Sequence, residues 1–528
     1  MKKYLALLVF SGFIFVSCSD DDTTPVDPGT IEPTPIVYTS GSADFSKYVS
    51  VGASLTAGYS DRALFIDGQN ASYPNMLATN FALAGGGAFT IPLMADNLGG
   101  ATLGGQPVFG NRLFLSFASG SPAPTPVEGF GATEISNILS GPFNNMGVPG
   151  AKSFHLMASG YGSLASVPFG LANPYYARFA SSSTSTIMGD AMTQDPTFFT
   201  LMIGGNDVLS YATSGGTGSD QSGNLDPSTY GQNDITDPNV FANIYNGLVQ
   251  TLTSNGAGGV LANIPDVTSV PYFTTVPFAP LDPANPDFGP QIPTLNATFA
   301  SLNQVFAALG VPERSIVFAT DAASALVIKD ESLTDLSTQI TGALMAGGAD
   351  AGTAGVLGFL YGQARQANEN DLIVLLARTE IATLNEDAFA TLRGLGLPAA
   401  NAGQLSVNGI TYPLEDKWVL TAAEQEIIAA ATAAYNQTIA GIAEQNGLAF
   451  VDTNALVKTI RDTGIVLSDG STVSSTFGTG GGFSLDGVHP SPRGYALLAN
   501  AFVEAINAKY GSNLPEVDPL DYTGLYIK

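Results

Sequence analysis

The chain holds one cysteine, two histidines and one tryptophan in 528 residues. A single cysteine excludes an intrachain disulfide and any thiolate metal cluster. Two histidines, His155 and His489, leave two candidates for any chemistry that needs an imidazole. Charge is also sparse, at 12% of residues, and only 18 basic side chains stand against 45 acidic ones, for a net −27. That deficit of positive charge argues against nucleic acid and anionic membrane surfaces as partners. After the N-terminus no apolar run is long enough to span a bilayer, and there is no fixed-period repeat. What the chain does have is 45% hydrophobic residues, enough for a large core and against general disorder. Its length admits roughly two to four domains, or one enlarged α/β domain.

Residues 1–17 read as a targeting segment. Lys2 and Lys3 form a basic end, and Tyr4 to Val16 is an apolar stretch too short for a membrane span. The stretch ends at Phe15-Val16-Ser17-Cys18. It resembles a bacterial lipoprotein signal, with Phe15 where leucine is usual. The resemblance implies cleavage before Cys18 and lipid on its sulfur, placing the protein in the cell envelope, at the outer membrane or cell surface. Residues 18–42 contain an acidic run, Asp20-Asp21-Asp22, and prolines at 25, 28, 33 and 35. Such a stretch buries no core and reads as an extended tether, with folding expected from about Ala43.

Farther along, short apolar runs alternate with helical patterns. Phe45 to Val51, Phe143 to Lys152, Phe198 to Ile203, Gly259 to Ile264 and Leu448 to Asp452 read as strands. Phe241 to Ser254, residues 294–310, Leu420 to Asn446 and Gly494 to Ala508 read as helices, with Gly447 closing the third of them. This alternation predicts a parallel sheet covered on both faces. Residues 60–140 look irregular and glycine-rich. Residues 315–415 look like a helical insertion or cap broken by Gly347 to Gly358. The acids Asp226, Asp234 and Asp237 fit no metal-binding spacing and read as solvated loop acids.

Chemistry concentrates in four places. Ser54, in Val51-Gly52-Ala53-Ser54-Leu55, follows a strand and is flanked by small residues, as a nucleophilic hydroxyl needs. Asn145-Met146-Gly147-Val148-Pro149-Gly150 and Gly204-Gly205-Asn206-Asp207 each close a strand with glycine. Asp486 and His489 sit three apart in a loop before the last helix, where a His can take a serine proton and an Asp can fix its tautomer. His155 reads as a residue that packs or hydrogen-bonds locally.

In this order the four segments resemble the blocks of the GDSL, or SGNH, hydrolase family. The resemblance implies a flavodoxin-like three-layer α/β/α fold for residues 43–515, with insertions at about 60–140 and 315–415. It implies ester hydrolysis through an acyl-serine. By position Ser54 is the nucleophile, His489 the base and Asp486 its orienter, with the Ser54 N–H, Gly150 and Asn206 as oxyanion donors. Gly147 rivals Gly150, and the spacing from Asn145 favours Gly150. Ala53 departs from the family pattern, which has aspartate there. The expected substrates are acyl, lipid-like esters, with no metal or organic cofactor. A carbohydrate O-deacetylase is the second reading, and a surface-anchored binding protein without catalysis the third.

Overall fold

A computed structural model of the chain describes residues 36–118 and 120–528, and Tyr38–Lys528 forms one compact unit. The targeting segment, Cys18 and the tether up to residue 35 lie outside the described residues.

The framework is a five-stranded parallel sheet. Its strands are β1 (Tyr48–Gly52), β2 (Asn145–Gly147), β3 (Phe198–Met202), β4 (Gly258–Ala262) and β5 (Ala449–Val451). They lie in the order β5-β4-β3-β1-β2, all parallel. Read from the other edge this is 2-1-3-4-5, the doubly wound flavodoxin order, in which the winding reverses between β1 and β3. The framework helices are α1 (Ser54–Ala57), α2 (Tyr73–Leu83), α3 (Asn206–Thr213), α4 (Pro238–Thr253), α5 (Ala422–Gln445) and α6 (Pro492–Tyr510).

Successive strand residues point to opposite faces, and the two cores divide accordingly. Val49, Val51, Phe199, Leu201 and Leu261 face α4 and α5, against Phe241, Tyr245, Leu248 and Tyr435. Tyr48, Phe198, Met202, Val260 and Val451 face α2 and α6, against Tyr73, Phe81, Tyr495 and Phe502. The apparent apolar/polar alternation before Ser54 thus belongs to a strand buried on both sides. Ser50 is accommodated inside because Thr200 Oγ1 donates to its hydroxyl at 2.8 Å, and Tyr48 OH lies 2.9 Å from Thr200. Helix α2 falls in a stretch expected to be irregular. Its sequence carries few helix signals beyond Pro74 in the first turn, and its place is set by the sheet face it covers.

Between β4 and β5 the chain leaves the framework. Strands Val327–Lys329 and Ala364–Gln366 pair antiparallel around two helices, Ser337–Ala346 and Ala351–Tyr361. Two further helices, Glu386–Gly394 and Ala399–Gln404, follow, and Leu372–Ile373 pairs with Val419–Leu420 to return the chain to α5. The helical reading of this region holds, but the expected break from Gly347 to Gly358 is mostly helix. Gly358 serves packing: a Cβ there would lie 2.4 Å from Ser337 O, so only glycine lets the two helices approach.

Candidate active site

The winding reversal puts a crevice at the carboxyl ends of β1 and β3, where α/β sheets receive their ligands. Ser54 leaves the end of β1 as the first residue of α1, so its N–H has no intrahelical acceptor. Gly52 is required by close approach: a Cβ there would lie 2.2 Å from Thr56 Oγ1 and 2.3 Å from Met202 O. Asn206 leaves β3 as the first residue of α3.

The Asp486–His489 loop arrives from a point far along the chain. Its exit is fixed by α6, where Ser491 accepts the Gly494 N–H at 3.0 Å and Pro492 occupies the first turn. On one side Tyr272 N–H donates to Gly487 O at 2.8 Å. Here His489 Nε2 lies 2.9 Å from Ser54 Oγ, and His489 Nδ1 lies 2.9 Å from Asp486 Oδ2. The Arg62 N–H adds a bond to Oδ2 at 3.0 Å, and the Val488 and His489 N–H groups each reach Oδ1 at 2.9 Å. Burial pushes the Asp486 carboxyl up, but the His489 ring and these N–H donors outweigh it and hold the group at about 2. Asp486 is then ionised and can only accept. Nδ1 must carry the proton of the neutral ring, and the Nε2 lone pair faces the Ser54 hydroxyl.

Asn206 lines the same cavity as Ser54 and His489, and its Nδ2 donates to Ala151 O at 2.9 Å, leaving a second amide hydrogen. Gly150, at φ +80°, stands one residue before Ala151 and is exposed; it is not among the cavity-lining residues. Its N–H meets no acceptor among the described residues. The rival Gly147 is already engaged, since its N–H donates to Asn145 Oδ1 at 2.9 Å. Asp207 laces these segments together: buried, it accepts the Ser153 N–H at 2.8 Å and the Ser153 hydroxyl at 2.7 Å.

The cavity beside Ser54 measures about 70 Å³ and is walled by Ala53, Ile203, Leu209, Ile264, Val267 and Val270 among others. Asn263 also borders it: its Nδ2 donates to Asp452 and its Oδ1 accepts from Thr453 and Asn454, so its carbonyl oxygen is committed while, as in Asn206, one amide hydrogen is left. Ala53 presents a methyl to this space.

His155 lies outside the cavity lining. Its Nδ1 accepts the Lys152 N–H at 3.0 Å and its ring stacks on Tyr161 at 4.3 Å. Burial, then the Lys152 charge, pushes its pKa down to about 4, so it stays neutral near pH 7. Of the acids of the 214–239 loop, Asp226 is exposed as expected, whereas Asp234 and Asp237 are not solvated. Asp234 accepts from the Ser219 and Gly231 N–H groups and from Gln221, and Asp237 accepts from Gly223, Asn239 and Val240. Both are buried, because a loop with few regular bonds needs acceptors for its own N–H groups. Asp226 caps the short helix Pro227–Thr229. Sequence reasoning missed the stretch Tyr59 to Arg62, which reaches the Asp486 loop; nothing in its local pattern signals a contact some 424 residues away.

The chain matches no family model, no curated protein and no solved structure.

Proposed function

We propose that the chain is a serine ester hydrolase of the GDSL/SGNH type, held at the cell envelope by lipid on Cys18. The observation that carries this reading is the continuous relay from Ser54 Oγ to His489 Nε2 and from His489 Nδ1 to an ionised Asp486, each link 2.9 Å. In the first step Ser54 Oγ attacks the acyl carbonyl carbon while His489 takes the hydroxyl proton. The ester oxygen leaves as an alcohol on receiving that proton, and a water, activated in turn by His489, hydrolyses the acyl-serine. Charge developing on the carbonyl oxygen meets the Ser54 N–H and the free amide hydrogen of Asn206, with the Gly150 N–H as the third proposed donor.

The cavity narrows the substrate. Most of the residues that wall it present hydrocarbon: Ala53, Ile203, Leu209, Ile264, Val267 and Val270. Such walls suit the apolar chain of an acyl group. This favours an acyl esterase over a carbohydrate O-deacetylase.

A chain-length series of nitrophenyl esters, run beside an acetylated oligosaccharide, tests the reading together with fluorophosphonate labelling. The expected result is labelling at Ser54 and faster turnover of the nitrophenyl acyl esters than of the acetylated oligosaccharide. His489→Ala abolishes both, because an unassisted serine hydroxyl is a poor nucleophile, whereas His155→Ala keeps the labelling. A wild-type protein that resists the label, or a His489→Ala variant that accepts it, overturns the assignment.

A further inference from the structure

The turn after α1 reverses over two residues: Ser60 and Ala63 exchange N–H···O bonds of 3.1 and 3.0 Å across Asp61 and Arg62. Asp61 has φ +50° and Arg62 φ +70°. Two successive left-handed residues make the kind of reversal usually given to Asn-Gly, and side chains at both positions strain it. Strain of this kind persists only where the surroundings over-determine the conformation.

Here the surroundings are the acid–base loop. The Tyr59 ring sits 4.6 Å from the His489 ring. Ser60 Oγ donates to Pro490 O at 3.1 Å. Asp61 Oδ1 accepts the Leu485 N–H at 2.9 Å, and the Arg62 N–H reaches Asp486 Oδ2 at 3.0 Å. Four consecutive residues thus hold four points of the stretch from Leu485 to Pro490. Tyr59 OH donates to Arg62 O at 2.6 Å and Tyr495 OH donates to Tyr59 O at 2.7 Å, which anchors the turn to α6.

We propose that Asp61 is a positioning residue of this site. By accepting the Leu485 N–H it locks the acid–base loop against the strained turn, so that Asp486 can meet His489 Nδ1 and the Arg62 N–H together. This rests on the serine hydrolase reading. The two bonds join adjacent residues on both segments, Asp61-Arg62 and Leu485-Asp486, so together they fix the position and the rotation of this end of the loop. Without the first, only the Arg62 N–H ties the turn to the Leu485–Asp486 end of the loop, and an Asp486 displaced from His489 Nδ1 no longer selects the Nδ1–H tautomer that leaves Nε2 free for Ser54.

Asp61 is 2% exposed. The charged and titratable groups around it are the Asp486 carboxylate, the Arg112 guanidinium and the Tyr526 phenol. Burial, followed by the Asp486 charge, pushes its carboxyl up to about 7 against the Leu485 N–H and Arg112. Both protonation states keep an acceptor oxygen for Leu485, and asparagine keeps one too.

The test compares Asp61→Ala and Asp61→Asn in the full chain. kcat and KM are measured per folded molecule across pH, and the downfield proton resonance of His489 Nδ1–H is recorded by NMR. Asp61→Ala is expected to lower kcat at least about tenfold with KM within about twofold, and to weaken that resonance. Asp61→Asn is expected to restore the resonance and bring kcat to within about threefold of wild type. The proposal is overturned if Asp61→Ala keeps the wild-type kcat, pH profile and resonance, or if its whole loss is unfolded protein. It is equally overturned if a folded Asp61→Asn variant is as impaired as Asp61→Ala, since the acceptor would then be irrelevant. A wild-type protein with no turnover and no labelling instead sinks the hydrolase reading, while the resonance still reports on the clamp.

Discussion

At the residue scale, the site depends on which groups are committed and which are free. Asn206 has one amide hydrogen on Ala151 O and lines the cavity beside Ser54. A donor that acts mainly on developing charge is worth about 3 kcal/mol, so Asn206→Ala should lower kcat by about 100-fold with little change in KM. A lowered melting temperature with intact kcat would make Asn206 a structural cap instead. Asp61 offers a second, independent measurement. Its pKa near 7 lies above the ordinary 3.8, so the folded state holds this proton more tightly than the unfolded state. The stability it contributes is full below pH about 4 and is lost as pH rises through about 7. Asp61→Asn cannot ionise and should therefore match the wild type in thermal melts near pH 4 and melt progressively higher than it toward pH 8. A difference that stays constant with pH would mean the carboxyl is not perturbed. Asp486, held near 2, runs the other way: its contribution is present above the ordinary 3.8 and is lost only as pH falls through about 2.

At the element scale, the insertion between β4 and β5 carries its own buried ion cluster. Arg365 bonds Asp330 through Nε at 2.7 Å and grips Asp371 with both terminal nitrogens, at 2.6 and 2.8 Å. The side chains of Asp330 and Asp371 are almost wholly inaccessible, at 5% and 0% exposure. Arg365→Met fills similar space but leaves two buried carboxylates without their cation. The expected cost is about 3–5 kcal/mol, read as a lower midpoint in urea unfolding. A loss under about 1 kcal/mol would show that water or local rearrangement satisfies the acids. The insertion also borders the site, since Leu375 stands 2.9 Å from where a Cβ on Gly487 would lie. Loosening the insertion should therefore lower activity before the framework unfolds.

At the scale of the whole molecule, net charge and anchoring are separable. A chain with 45 acidic and 18 basic residues gains nothing from anionic lipid, so charge does not supply the attachment proposed for Cys18. Cys18→Ser should release the protein into the soluble fraction with esterase activity unchanged. Retention of that variant in the membrane fraction would refute anchoring at Cys18. Among the described residues no helix is long and apolar enough to cross a membrane.

The sequence by itself determined the strand and helix series of the framework, because apolar periodicity and caps are local. It also singled out Ser54, Asp486 and His489, because a serine at a strand end and an Asp-His pair in one loop stand out in a chain with two histidines, whereas Asn206 was marked by the resemblance of its glycine turn to the GDSL/SGNH pattern. Which of the two histidines meets Ser54 was already implied by Asp486, three residues before His489. Tertiary structure alone decided the rest. Helix α2 is a helix mainly because a sheet face needs covering, and Gly358 sits in a helix because a neighbour comes too close for a side chain. Asp234 and Asp237 are buried because their loop's N–H groups need acceptors. The turn at Asp61 and Arg62 belongs to the site only through partners more than 400 residues away, and its left-handed backbone follows from those contacts. Local propensity carries no record of such partners, since the contacts that over-determine the turn exist only once the chain has closed around it.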